Sequence, residues 1–238
     1  MPKIITVAAY KGGVGKTTLA LELAYLLNAP LVDFEWDSGG ASRRWGYRYE
    51  RAHTRPVLDA LAHDRTPKPL VGHRKADLVP GHPDLSHADL SAEDIAAALG
   101  KWAAEWGRPW VVVDTHPGGF ASTLGAMAAA DTVVVPTPLR AGELDALDGM
   151  LGDASDYPLL LVPTMVPRSP SASLNRRLWE LAQRFDVPLG PVLSWYPDLG
   201  ERQQRLAMTA LEPTPARWTR YVEELRAIAS TVRSYGDE

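Results

Sequence analysis

Residues 4–28 read IITVAAYKGGVGKTTLALELAYLLN, three kinds of local sequence placed end to end. Ile4 to Ala9 is short, apolar and rich in β-branched side chains, the pattern of a buried strand. Lys11 to Thr18 is glycine-rich. Thr17 to Asn28 then carries leucine and alanine at helical spacing with no breaker. A second apolar run, Pro30 to Asp33, follows a tight connection. Strand, glycine loop, helix and strand in that order form a βαβ unit, which brings parallel strands together through a right-handed crossover.

The loop itself is suited to phosphate. Gly12, Gly13 and Gly15 can take backbone angles closed to other residues and can approach an anion without a Cβ in the way. Successive N–H groups and the helix N-terminus then make an anion nest. The motif G-x-x-x-x-G-K-[ST] is met in a shifted sense, because Tyr10 stands where its first glycine would be. Lys16 is placed to reach β- and γ-phosphates, and the Thr17 hydroxyl to ligate Mg²⁺.

Working outward, alternating strands and helices continue. Helices are expected at Val57 to His63, Ser91 to Trp106 (with acids in its first turn), Gly142 to Leu151 and Ser173 to Phe185. Strands are expected near Ala76 to Val79, and at Trp110 to Asp114, Asp131 to Pro136, Tyr157 to Pro163 and Pro191 to Trp195. Two closing helices are expected at residues 201–211 and 215–233. In the second, Trp218, Val222, Leu225 and Val232 form a core face. The expectation is one α/β P-loop domain over residues 1–238, with a mostly parallel sheet covered by helices on both faces.

Bulk properties narrow the function. The composition is 45% hydrophobic and 23% charged, which suits a folded core, and the absence of cysteine rules out disulfides, thiolate zinc sites and iron–sulfur clusters. The apolar run at the N-terminus is too short for a signal peptide, so an intracellular, soluble chain is expected. A net charge of −4 means that any contact with DNA must come from a local patch.

Two acidic segments lie where the strands should deliver them. Trp110-Val-Val-Val-Asp114 ends an apolar strand on a carboxylate, as a metal-organising aspartate beside a phosphate loop requires. The Asp114-Thr-His-Pro-Gly-Gly119 turn then suits a γ-phosphate sensor, with His116 shaping the turn. Asp33-Phe-Glu-Trp-Asp37 follows the second strand, and Asp33, Glu35 and Asp37 are candidates for orienting the attacking water. Strand alternation puts Asp33 and Glu35 on one face. Histidines 63, 73, 82 and 87 have no metal-ligand spacing.

Taken together, KGGVGKTT, LVDFEWDSGGAS, DLVPGHPDLS, VVVDTHPG, VVVPTPLRAGELDAL and LLVPTMVPRS, in this order, resemble the ParA/MinD family of deviant Walker ATPases. Within it they resemble the small plasmid-type ParA partition proteins. The resemblance implies ATP and Mg²⁺ as cofactors, and nucleotide contacts from Lys11, Gly12, Gly13, Val14, Gly15, Lys16, Thr17, Thr18, Thr164 and Met165. It implies metal contacts from Thr17, Asp33 and Asp114, and catalytic roles for Lys11, Lys16, Asp33, Glu35 and Asp114. Lys11 would cross a dimer interface to the partner's nucleotide. The ATP-bound homodimer would bind DNA without sequence preference. A ParB-like or small centromere-binding protein would stimulate hydrolysis and release it. A cytoplasmic protein, nucleoid-associated when ATP-bound, is the corresponding expectation.

Glu35 stands where the family has an aspartate, which implies altered geometry or slow hydrolysis. Asn28-Ala-Pro30 replaces a longer helix–strand connection, and the likeness to the small plasmid-type class carries the expectation that the N-terminal DNA-binding extension of larger ParA proteins is absent. Arg177, Arg202, Arg205, Arg217 and Arg220 are the candidate DNA contacts, with Arg168 and Arg176 nearby. The alternative within the fold is a MinD-like membrane-positioning ATPase. Against it, the C-terminal helix mixes Glu223 and Glu224 with arginines instead of forming a basic amphipathic anchor. A ligase of the same superfamily would need a second substrate pocket, for which no motif is present, and a nitrogenase-type reductase would need cysteines.

Overall fold

The computed structural model describes residues 1–37, 40–52, 54–199 and 205–235. The expected βαβ unit is present as β1 (Lys3–Val7), α1 (Lys16–Leu26) and β2 (Leu31–Asp33). A short helix α2 (Ala41–Trp45) follows, then α3 (Pro56–Ala62) with Pro56 in its first turn, and the brief β3 (Leu78–Val79). Helix α4 (Ala92–Trp106) starts where the sequence signals it. The Ser91 side chain accepts the Asp94 N–H at 3.0 Å, a cap of the kind that contributes about 1 kcal/mol. Next come β4 (Trp110–Asp114), α5 (Ala121–Ala128), β5 (Thr132–Pro138), α6 (Ala141–Ala154), β6 (Leu159–Thr164), α7 (Ala172–Arg184) and α8 (Thr219–Ser234).

All six strands run parallel, in the order β3-β2-β4-β1-β5-β6. From β1 the chain winds first to one side of the sheet, through β2 to β4, and then crosses β1 to reach β5. The carboxyl end of β1 is therefore a topological switch point, where open α/β sheets have their ligand crevice. Register places Val7, Asp114 and Asp33 side by side at that edge.

Strand alternation divides the core between the two faces. Ile5, Val7, Val112 and Val134 pack with Leu19, Leu23, Tyr221 and Leu225 of α1 and α8. Ile4, Val111 and Val113 face Ile95, Leu99 and Trp102 of α4, while Val133 and Val135 face α6 and α7. Trp218, Val222, Leu225 and Val232 are all buried, as their spacing implies. Helix α5 lies directly on α4 because of Gly125, where a Cβ would come within 2.4 Å of the Ala92 carbonyl oxygen. Among the described residues, no helix is long and apolar enough to cross a membrane.

Two expected elements differ. Residues 191–195 are not a strand but an irregular edge segment beside β6, joined by Leu193 N–H to Pro163 O (2.8 Å) and Trp195 N–H to Val166 O (2.8 Å). Pro191 has no N–H with which to extend a ladder. In the expected helix over 201–211, residues 201–204 fall outside the described residues. The remainder is irregular, with a single 3₁₀ turn at Met208–Ala210. The buried Glu22 carboxylate explains this, because it takes the N–H groups of Met208 (2.6 Å) and Thr209 (3.1 Å) and the Thr209 hydroxyl (2.8 Å). Those amides are spent on α1 instead of on a helix of their own.

Candidate functional site

The glycine loop closes over the carboxyl end of β1 and hands directly into α1. Gly15 caps the helix with φ +101°, a conformation that a β-carbon disfavours. The loop is braced from the far strand, where the Thr164 hydroxyl donates to the Val14 carbonyl (3.0 Å) and the Met165 methyl lies 3.7 Å from where a Gly15 Cβ would stand. On the other side the turn after β4 crosses the loop. Thr115 Oγ1 donates to Val7 O (3.0 Å), and Pro117 packs 3.7 Å from the position of a Gly12 Cβ. A cavity of about 780 Å³ opens beside this loop, a volume in the range of small-molecule sites. Gly12 through Thr18, Glu35, Thr164 and Met165 all line it, and Lys11 is not among its lining residues.

Beneath the loop lie three ionisable side chains that folding has removed from water. Lys16, Asp33 and Asp114 are 5%, 1% and 0% exposed. Burial lowers the Lys16 pKa, and the nearby Asp114 and Glu35 carboxylates oppose that shift. Burial pushes Asp114 up to about 8, with Asp33 adding to the rise, against the Thr17 hydroxyl and the Lys16 ammonium. Asp33 is pushed up to about 6, again chiefly by burial, because hydrogen bonds from Ser42 and from the Glu35 N–H hold it down.

The two aspartates differ in what they have left to offer. Asp33 accepts the Ser42 N–H (2.6 Å), the Ser42 hydroxyl and the Glu35 N–H (3.0 Å), so it fastens the segment after β2 to the sheet. Neither Asp114 oxygen meets a donor at good hydrogen-bond geometry, although Thr17 lies close enough to favour the ionised form. A buried carboxylate with unspent acceptors next to a threonine hydroxyl is an oxygen-donor set that fits Mg²⁺. Of the expected metal residues, Thr17 and Asp114 have this character, and Asp33 is already engaged.

Glu35 lines the cavity and contacts His116 through Oε1, which also accepts the Asp37 N–H at 3.0 Å. The His116 ring stacks on Trp36 at 3.7 Å between centroids, with Phe120 edge-on at 5.3 Å. Glu35, Asp37 and His116 each offer a ligand atom within 4.8 Å of the others. Besides shaping its turn, His116 thus contacts the Glu35 carboxylate that lines the cavity. Ser42 and Arg44 are further site residues that spacing did not single out.

Lys11 is 44% exposed at its side chain. Its Nζ lies 3.7 Å from Glu143 at the start of α6. The arginines expected to meet DNA have varied surroundings. Arg177 pairs with Asp145 (2.6 Å), Arg220 pairs with Glu224 (2.8 Å), and Arg217 lies 5.3 Å over the Trp218 ring. Arg205 instead lines the nucleotide-sized cavity, where Gly46 leaves room for it (a Cβ there would lie 2.9 Å from Arg205 Cδ). Arg202 lies outside the described residues.

Known proteins agree with this geometry. A family profile described as an AAA domain matches residues 2–152. The chromosome-partitioning ATPase Soj of Thermus thermophilus is 28% identical over 247 aligned residues, covering 94% of this chain and 95% of that protein. The chromosome partitioning protein ParA of Myxococcus xanthus is 32% identical over 163 residues, covering 62% of this chain and 55% of that protein, so the match spans little more than half the relative's length. Among solved structures, apo McdA of Cyanothece superposes with a TM-score of 0.82 at 15% identity, covering 98% of this chain and 100% of that one. An ATP complex of a McdA variant gives 0.80 at 14% identity, covering 98% and 96%. With a family profile covering most of its length and the glycine loop, buried carboxylates and switch-point crevice in place, the chain belongs to the ParA/MinD family of P-loop ATPases.

Proposed function

We propose that this chain is an ATP-driven partition switch that binds and releases DNA as its nucleotide state changes. The observation that carries the reading is the pairing of a complete phosphate site with a second loop lysine, Lys11, that stands outside its own cavity. Lys16 holds the β- and γ-phosphates of its own subunit, and Lys11 is available to a partner's nucleotide. Val14, Thr18, Thr164 and Met165 enclose the rest of the nucleotide. Thr17 and Asp114 hold Mg²⁺, which supplies charge neutralisation on the phosphate oxygens. Glu35, held by His116, orients the attacking water and accepts its proton, and Asp33 keeps that segment registered through Ser42.

In this reading ATP joins two copies into a homodimer that binds DNA without sequence preference. A ParB-like or small centromere-binding protein stimulates hydrolysis and frees it. The full-length similarity to the Thermus partition ATPase supports the partition output. DNA contacts come from Arg177, Arg217 and Arg220 and from Arg202. Arg177 and Arg220 must exchange their carboxylate partners for phosphates.

The test is retention of plasmid-length DNA of arbitrary sequence. Retention is expected with ATP and Mg²⁺, not with ADP, and should fall steeply between about 50 and 200 mM salt as counterion release weakens. Equal retention with ADP, or retention indifferent to salt, would rule the reading out.

A further inference from the structure

We infer that Arg44 is an additional phosphate-binding residue, supplied from α2 to the α-phosphate end of the nucleotide; this rests on the nucleotide-switch reading above. Its guanidinium Nη1 donates to Thr18 Oγ1 at 2.6 Å, which leaves four N–H donors of the fork unspent in that contact. Arg44 lines the same cavity as Lys16, Thr17 and Thr18. Among the described residues no carboxylate lies within ion-pair distance of it, whereas its neighbour Arg43 is held by Glu50. An exposed cation with free donors, lining a cavity suited to phosphate, lacks the anion that its geometry suits.

The backbone that presents Arg44 is fixed on both sides. Ser42 is bonded to the buried Asp33 carboxylate, and its hydroxyl accepts the Gly81 N–H at 3.0 Å. Trp45 donates its indole N–H to the Ala76 carbonyl at 2.7 Å. Helix α2 is thus a strut between the buried carboxylates and the phosphate loop. A side chain carried on it is preorganised, which reduces the ordering cost of binding.

Position along α1 identifies which phosphate is met. Lys16 and Thr17, with Asp114 and Glu35 around them, mark the β,γ end. Thr18 lies one residue further on, on the stripe shared with Leu21 and Glu22 at i+3 and i+4. Those two residues line the same cavity about one helical turn beyond Thr18, farther along α1 from Lys16 and Thr17, the side left for sugar and base. Arg44 therefore meets the phosphate nearest the sugar, which ADP and ATP have in common.

Calorimetric titration of ADP and ATP in the presence of Mg²⁺ tests this on wild-type protein, Arg44→Ala and Arg44→Gln, each first checked for an unchanged melt. Both variants should bind ADP and ATP about tenfold more weakly, the loss expected of a charge-assisted bond to phosphate. Arg44→Lys should recover part of the affinity. Unchanged affinity in both variants overturns the inference. A loss confined to ATP overturns the α-phosphate placement. Lys16→Ala in the same titration separates the two levels of argument: if it binds normally, the nucleotide reading itself fails, whatever Arg44 does.

Discussion

Replacing Lys16 with alanine is expected to reduce ATP affinity by at least about 100-fold, equivalent to roughly 3 kcal/mol. Lys16 is almost fully buried, and burial disfavours its charge. An ammonium is retained in such a place when compensating negative charge is at hand; the nearby Glu35 carboxylate favours it in the free protein, as Asp114 does once ionised, and phosphate does so in the complex. Alanine removes the cation and leaves the carboxylates facing the incoming phosphates with no positive side chain between them. Titration of ATP into the variant checks this, after a melt shows that it folds. Affinity within a few-fold of wild type would contradict the phosphate-loop assignment.

Asp114→Asn should stabilise the nucleotide-free, metal-free protein while abolishing hydrolysis. In the unfolded chain Asp114 titrates near its ordinary 3.8, and in the fold at about 8. Between those values the folded protein keeps a proton that the unfolded chain has released. The destabilisation that Asp114 contributes is therefore absent below about pH 4, grows as pH rises, and levels off above about 8. Asparagine keeps the shape and removes the charge. The expected gain at pH 8 is on the order of 2 kcal/mol, a rise in Tm of about 4–8 °C, shrinking to nothing near pH 4. Mg²⁺-dependent ATP hydrolysis should fall at least about 100-fold, as when a single transition-state contact is lost. A lower Tm at pH 8, or hydrolysis preserved in the variant, would count against Asp114 as a strained, metal-holding carboxylate. The protein in this view tolerates an unfavourably buried carboxyl group because ligand binding uses it, a familiar trade of stability for function.

Much of this was legible in the residues themselves. Residues 4–33 specify strand, loop, helix and strand by periodicity and glycine placement, and the structure places them so. Trp110 to Asp114 could be read as a buried strand with a terminal carboxylate because four bulky apolar residues precede the acid. What could not be read depends on contacts distant in sequence. The segment at 205–211 has helical composition, but Glu22, nearly two hundred residues earlier, claims its amides. Arg205 looks like any surface arginine until Gly46 is seen to make room for it at the cavity. Helix α2, too short for a periodic signal, supplies Ser42 and Arg44. His116 gains its partner only when the turn after β4 is folded against the segment after β2. The family resemblance added what spacing lacks, a separate job for Lys11.

That separate job is the centre of the account, and solution mass by light scattering tests it most directly. Wild-type protein should be monomeric with ADP and twice that mass with a non-hydrolysable ATP analogue and Mg²⁺. Lys11→Ala should bind the analogue with near wild-type affinity, because Lys11 stands outside its own cavity, and should remain monomeric. An Lys11→Ala protein that doubles its mass as wild type does, or a wild type whose mass ignores the nucleotide, would contradict a switch built from two shared sites.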